Sequence, residues 1–387
     1  MSVKKVGISI IGGGLMGREI AAALSRWSAL IDHPVVPELV GVADINPAAL
    51  EWFKTVPTVE ILTTDYHDLL SDPRVDVVYV AVRHDLHEQI YTDVIRSGKS
   101  LLAEKPFGID GKAADAIMQA VNETPESFVR CSSEIPFFPG AQWAINYIQS
   151  GALGQIIEAR SSFLHSSDFD QEKAINWKRQ VQFCGEAGVM NDLGMHAFHI
   201  PLRLGWKPSS VFAVLQNIVP QRPDGKGGIA ECDTWDNATL HLSVPHKDKS
   251  ATEETFPLTV EVKRIEPGEK NTWLLEVKGT KGGVRFSTKN PKTVEVFALV
   301  NVPGIGKEQS WQRIDAGSQS VWPTVTGGIF EFGFSDSILQ MWAAFLAERE
   351  GQLGGKFGPA LPEEAAFTHK IYAAAIASQE KQTVEKI

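Results

Sequence analysis

Two clusters in this 387-residue chain have the residue types and spacing of acid–base chemistry. The first is Glu104-Lys105-Pro106. A Glu-Lys pair is ordinarily a solvated surface pair, so its meaning depends on where the fold puts it. The second is GEAGVMNDLGMHAFHIP, residues 185–201. On a helix, Asp192 and His196 stand four apart and share one face, and His199 follows three later on nearly the same face. Oxidation of a secondary alcohol needs a base for the hydroxyl proton, and imidazole has the right pKa. A carboxylate one turn away can orient the substrate or support the imidazolium. The same three residues have the types of metal ligands. No HExxH-like pattern accompanies them and hydride chemistry requires no metal, so no metal site is expected.

These clusters need elements to hold them. Residues 4–11, KKVGISII, read as a buried strand, and 18–27, REIAAALSRW, carry helical spacing. Between them Gly12, Gly14 and Gly17 fit GxGxxG, with Leu15 and Met16 inside the turn. The first glycine allows the turn, the second lets the backbone approach a pyrophosphate, and the third lets helix and strand pack closely. The helix then points its positive N-terminus at the phosphates. Asp44 closes the next strand, Leu39–Ala43. Its carboxylate accepts hydrogen bonds from ribose hydroxyls and repels a 2′-phosphate, and Ile45, Asn46 and Pro47 bring no cation. NAD is therefore expected over NADP.

The apolar run VDVVYVAV at 75–82 reads as a strand buried on both faces of a parallel sheet. Ala81, His84 and His87 at its end are expected beside the dinucleotide. Glu104 and Lys105 follow another strand, Ser100–Leu102, so they too fall at the carboxyl edge of the sheet, where ligands bind in open α/β folds. A lysine beside a nicotinamide cation has its ammonium form disfavoured and can accept or share a proton near neutral pH.

After about residue 130 the rhythm changes. A strand is expected at Ile156–Leu164, a helix at 186–204 interrupted by Pro201, and mostly strands from 208 to 300. Loops rich in Gly, Pro and charge interrupt these strands at 220–230 and 245–256. Helices are expected at 335–348 and 363–380, folding back on the first domain. The expectation is an α/β Rossmann domain, doubly wound around a parallel sheet, over 1–130. A C-terminal α+β domain with a large, mainly antiparallel sheet follows over 131–387.

A formal charge of −10 with no Lys/Arg stripe argues against nucleic acid as a partner. No apolar run approaches the length of a membrane span. Cys131, Cys184 and Cys232 form no CxxC pair, and the N-terminus shows no export signal, so a reducing cytoplasm is expected.

With these motifs in order, the chain resembles the Gfo/Idh/MocA family of NAD(P)-dependent oxidoreductases. The resemblance runs through GGGLMG, VADINP, SGKSLLAEKPFG, SGALGQI, NWKRQ and GVMNDLGMH, over almost the whole chain. It implies that Lys105 is the catalytic lysine, that Asp192 and His196 are the Asp-x-x-x-His pair, and that Glu104 lies near the nicotinamide ribose. It also implies an open-faced sheet in the second domain and a homo-oligomer, dimer or tetramer. The chain departs from the family at Val82-Arg83-His84, at SEIPFFP (133–139) and at Gly185-Glu186-Ala187-Gly188. Those departures bear on the substrate. Trp177 is expected to stack on a pyranose face, Lys178 and Arg179 to hold an anionic substituent, and His165, in His165-Ser166-Ser167-Asp168, to bind hydroxyls. His199 is a further candidate for proton transfer. The expected reaction is NAD-dependent oxidation of a secondary ring hydroxyl, at C3, of a sugar, glycoside or cyclitol. The alternative is redox-neutral hydrolysis of a glycoside, a sulfoquinovoside among them, through transient oxidation, elimination and addition of water.

Overall fold

Alternating apolar runs and helices build a six-stranded parallel sheet in the first part of the chain. The computed structural model describes residues 4–246, 254–317 and 319–387. Strands β1 (Lys4–Ile11), β2 (Val35–Ala43), β3 (Ile61–Thr63), β4 (Val77–Val80), β5 (Ser100–Ala103) and β6 (Val129–Cys131) lie in the order β3-β2-β1-β4-β5-β6. Every neighbouring pair is parallel. All four residues of β4 are buried, as a strand covered on both faces requires. Strand order reverses between β1 and β4. The carboxyl ends of those two strands carry the glycine turn and residues Ala81–His87, at the switch point where such sheets bind ligands.

The described chain divides into two compact units. The first holds residues up to Phe137 together with Ser320–Gly327 and Gly333–Ala366. The second holds Phe138–Gln319, Gly328–Phe332 and Phe367–Ile387. The division therefore does not fall at residue 130, and it is not a single cut. The helix Phe334–Arg349 belongs to the first unit, and Ser337 to Ala347 is buried without a break, as in a helix enclosed on all sides. Its Trp342 ring lies 6.0 Å from that of Tyr79, and Glu348 receives Arg130 at 2.6 Å. The helix Pro362–Lys381 begins in the first unit and continues in the second.

In the second unit nine strands form one sheet, β7 (Ile156–Leu164), β8 (Ser210–Gln216), β11 (Asn237–Pro245), β12 (Thr255–Lys263), β13 (Thr272–Gly279), β14 (Gly282–Ser287), β15 (Thr293–Val302), β16 (Gly306–Asp315) and β17 (Glu385–Lys386). A separate hairpin pairs β9 (Gln221–Pro223) with β10 (Ile229–Glu231). The order is β16-β15-β14-β13-β7-β12-β11-β8-β17, antiparallel except where β7 meets β12. Alternate residues such as Leu240, Leu242, Leu258 and Val260 are buried, and the residues between them are more exposed. That is the pattern of a sheet with one covered face. Part of the expected 245–256 loop, residues 247–253, lies outside the described residues.

Two expectations needed correction here. Pro201 does not interrupt its helix, which runs unbroken over Val189–Arg203. Proline removes the amide that would reach back to Ala197, and the freed Ala197 carbonyl instead accepts the Ser161 hydroxyl at 2.7 Å. The strands also do not end at 300. β16 pairs with β15 over ten residues, yet its sequence GKEQSWQRID is polar because it lies at the sheet edge and is largely exposed.

Among the described residues no helix is long and apolar enough to cross a membrane.

Candidate active site

In the first unit the glycine turn is shaped by contacts that only glycine permits. A Cβ on Gly12, whose φ is +106°, would meet the Ala81 carbonyl oxygen at 2.2 Å, and one on Gly17 would meet the Gly12 oxygen at 2.2 Å. At Gly14 a Cβ would meet nothing within 4 Å, so this backbone is open to a close-approaching group. No side chain caps the helix Leu15–Ser25, and Leu15 is 77% exposed. Asp44 Oδ2 accepts the Gly13 amide at 2.8 Å, and Oδ1 accepts the Asn46 amide at 2.8 Å. The end of β2 thus locks the turn. Capping of the next helical turn falls to Asn46, whose side chain accepts the Ala48 amide at 3.1 Å. Glycine cradle, open helix start and acid together fit a dinucleotide diphosphate and its adenosine ribose. Asp44→Ala is expected to weaken NAD binding about 10-fold or more while NADP changes little, as loss of a charge-assisted bond to the ribose hydroxyls requires. Equal weakening of both in a fluorescence titration would count against the ribose assignment.

Lys105 follows β5 and is half-buried, in a cis Lys105–Pro106 unit. Its setting is unusually braced. Tyr79 donates to Glu104 Oε1 at 2.7 Å, the Lys105 amide donates to Oε2 at 3.2 Å, and Tyr91 donates to the Glu104 carbonyl at 2.6 Å. Glu104 itself is buried. His87, expected beside the cofactor, also braces the two turns. Fully buried, its Nδ1 faces the Pro106 carbonyl at 2.8 Å and its Nε2 the Val82 carbonyl at 3.1 Å. It ties the turn after β4 to the turn after β5. His84 is also buried, 5.3 Å from His87 between ring centroids.

Glu134 is a group that the sequence pattern does not flag. Burial, then the neighbouring Glu104 carboxylate, pushes it up to about 7, with Lys105 pulling the other way. The folded chain then holds a proton that the unfolded chain, near 4.5, releases. Its stability should fall as pH rises through that window. Glu134→Gln cannot ionise, so urea midpoints are expected to match wild type near pH 4 and exceed it at pH 8. A difference that does not change with pH would refute this. Burial raises all three cysteine thiols, Cys184 to about 11.

In the second unit Asp192 and His196 lie in the first two turns of Val189–Arg203, both buried. The helix starts at Gly188, whose φ is +53° and where a Cβ would meet the Trp235 amide nitrogen at 2.7 Å. Gly185 also has positive φ, whereas Glu186 and Ala187 do not, which explains why side chains are tolerated between them. Phe163 at the end of β7 presents its ring to His165 at 4.7 Å and to His196 at 5.0 Å, so both histidines meet at one aromatic. The His196 carbonyl accepts the Trp273 indole at 3.0 Å.

Asp192 carries a cation on each oxygen: Lys178 on Oδ1 at 2.8 Å and Arg264 on Oδ2 at 2.5 Å. Arg179 points elsewhere. Fully buried, it pairs with Asp168 at 2.9 Å through Nε and with Asp236 through NH1. Lys178 and Arg179, expected to hold an anion together, point to different carboxylates, as adjacent residues on a short turn do. Trp177 remains half-buried, with the Lys178 ammonium 5.6 Å from its ring centre. His199 is wholly buried. Arg264 and Asp236 carry no motif that marks them as site residues, and Asp168 does so only as the last residue of His165-Ser166-Ser167-Asp168. The signal that could have found them is that each follows or precedes a strand end, but no spacing links them.

Residues 6–129 match the GFO/IDH/MocA oxidoreductase family, NAD-binding Rossmann fold, and residues 142–285 match the GFO/IDH/MocA C-terminal domain. The chain is 26% identical over 305 residues to levoglucosan dehydrogenase of Pseudarthrobacter phenanthrenivorans, covering 76% of each chain. It is 25% identical to trans-1,2-dihydrobenzene-1,2-diol dehydrogenase of Mus musculus, over 61% of this chain and 64% of that one. A structure of levoglucosan dehydrogenase with NADH and levoglucosan superposes with a TM-score of 0.85 at 23% identity, over 99% of this chain and 100% of that one. An NAD-binding oxidoreductase from Klebsiella pneumoniae gives 0.86 at 22% identity, over 99% of each chain. These two show the shared fold.

Proposed function

Because this chain belongs to the Gfo/Idh/MocA family and is an NAD-dependent oxidoreductase, we propose that it oxidises a secondary ring hydroxyl of a neutral sugar or anhydrosugar. Likeness to levoglucosan dehydrogenase supports the substrate class. The observation that carries the reading is Asp192 held between Lys178 and Arg264 one turn from His196. A carboxylate with a cation on each oxygen is a poor proton acceptor, which leaves imidazole as the base on that face.

Bound NAD supplies the acceptor for the hydride. The glycine turn and Asp44 would hold its diphosphate and adenosine ribose, and by resemblance Glu104 would lie near the nicotinamide ribose. His196 takes the hydroxyl proton as the carbon–hydrogen electron pair departs and the oxygen's pair closes the carbonyl. By resemblance to the family, Lys105 is the other candidate acceptor for that proton, and Asp192 orients the substrate or supports the imidazolium. By resemblance the carbon is C3. Trp177 and His165 are proposed to contact the sugar. The hydrolytic alternative draws on the turn at Val82-Arg83-His84, on His199 as a second proton-transfer group and, for an anionic glycoside, on Lys178 and Arg179, and these last two have carboxylate partners within the unit.

Freshly purified protein should be given a panel of neutral sugars, levoglucosan included, and an aryl sulfoquinovoside, with NADH and aglycone followed together. NADH formed one-to-one with oxidation of a neutral sugar is expected. Repeated aglycone release without net NADH would replace this reading with redox-neutral hydrolysis.

A homo-oligomer and a cytoplasmic site are part of the proposal. Three buried cysteine thiols support the second. The first is supported by a row across five strands, Arg160, Glu276, Arg285, Glu295 and Arg313, each directly opposite the next. Alternating charge in this order is self-complementary when reversed and shifted by one strand. Sedimentation equilibrium is expected to give a dimer or tetramer weakened by Glu295→Arg; a monomer at all concentrations would dismiss it.

A further inference from the structure

The ion pair on Asp192 is one link of a longer chain of charge. Asp192 meets Arg264, Arg264 NH1 lies 4.0 Å from Asp168, Asp168 meets Arg179, and Arg179 meets Asp236. All five are at most 3% exposed. Lys178, the sixth member, has a side chain 34% exposed. Signs alternate along the whole line, so each charge faces opposites and the sum is zero. Asp236 closes the far end by accepting the amides of Ile218 and Val219 at 2.8 and 2.9 Å.

Arg264 is the member that joins Asp192 to this line, and its backbone is fixed on both sides. Its amide donates to the Asp236 carbonyl at 3.0 Å and to the Asn237 side-chain oxygen at 3.1 Å, and its carbonyl accepts the Asp168 amide at 3.2 Å. It stands one residue past β12, among loops that also hold Asp168 and Asp236. Lys178 reaches Asp192 on a flexible, half-exposed stem, so its ammonium is partly screened by water. Arg264 is dry and planar, and cannot be displaced without leaving a buried charge unmatched.

We propose that Arg264 is a positioning residue for the dehydrogenation, fixing the Asp192 carboxylate beside His196 while Lys178 adds the mobile half of the clamp. This rests on the dehydrogenase reading above. Arg264 touches no reacting atom in this account and acts through Asp192. Charged groups around Asp192 are then Lys178, Arg264 and, beyond Arg264, Asp168 and Arg179, with the Cys184 thiol also near.

The test is a kinetic double-mutant cycle in the full-length enzyme with NAD and a neutral sugar that wild type oxidises. Arg264→Gln is expected to lower kcat about 100-fold, the lower range for an acid–base unit, with KM for the sugar changing far less. In an Asp192→Asn background the same change should cost less than about threefold, because the group it positions is already gone. Arg264→Lys keeps a cation and should recover at least about a tenth of wild-type kcat, and it stands in if the glutamine variant fails to fold. Loss of the same size in both backgrounds, or a lysine variant as poor as glutamine, would mean that Arg264 only supports the fold and would overturn the proposal. Wild type inactive on every neutral sugar would overturn the dehydrogenase reading, and the role of Arg264 with it. Active wild type with an unimpaired Arg264→Gln would overturn the role alone.

Discussion

Replacing Lys105 by alanine is expected to cut kcat about 10³-fold while the Kd for NAD changes less than about threefold. The split follows from which residues do which work. In the proposed function, grip on the cofactor is assigned to the Gly12–Gly17 turn, the open helix start and Asp44, all on β1, β2 and the connection between them. Lys105 stands two strands away from β1, after β5. Its backbone is held by Glu104 and its turn by His87, and truncating the side chain removes neither hold. The enzyme should therefore fold, bind NAD and lack a group that shares the substrate proton. His196→Ala is expected to give the same split, because His196 belongs to the second unit and the dinucleotide cradle to the first. Stopped-flow and steady-state rates beside NAD titrations read both quantities. Either variant within about tenfold of wild-type kcat would show that the proton goes elsewhere.

The second large effect is on stability. Arg179→Met is expected to cost about 3–5 kcal/mol, because breaking a buried pair leaves its partners uncompensated. Arg179 is 0% exposed, and burial holds it below the usual arginine range despite Asp168 and Asp236. Removing it leaves Asp168 with Lys173 at 3.7 Å and Arg264 at 4.0 Å as its cations, and leaves Asp236 with two backbone amides. Lys178→Met, one residue away, makes the contrast. Its ammonium is part-exposed and screened, so its loss should cost about 1 kcal/mol or less in stability while impairing turnover through Asp192. Urea unfolding of the two variants in parallel decides the matter. Equal, small losses would mean that the Arg179 pairs contribute nothing net, as buried ion pairs sometimes do not.

These two neighbours, Lys178 and Arg179, also mark where reading the chain alone stops. Local features were legible. The strand–GxGxxG–helix unit, Asp44 at the end of β2, the Glu-Lys pair after β5 and the Asp-x-x-x-His helix all follow from period, turn chemistry and spacing over a few residues, because backbone hydrogen bonding and side-chain direction act at that range. The family that the motifs resemble is the family that the chain matches over both domains. The polar edge strand β16 was missed, because at a sheet edge nothing demands the alternation that betrays a half-buried strand.

What only the tertiary structure decided is which charges meet. Arg264 lies 72 residues from Asp192 and Arg179 lies 57 from Asp236, and neither pair has a spacing that any periodicity encodes. His87 reads as a ligand-side histidine until its two ring nitrogens are seen facing the Val82 and Pro106 carbonyls. Glu134 lies in SEIPFFP, and nothing in that stretch tells that it is buried beside Glu104. A residue's type and local spacing determine what chemistry it can offer. Whether it is spent on the fold or left for a substrate depends on desolvation and on partners brought from distant strands, and these exist only once the chain has closed on itself.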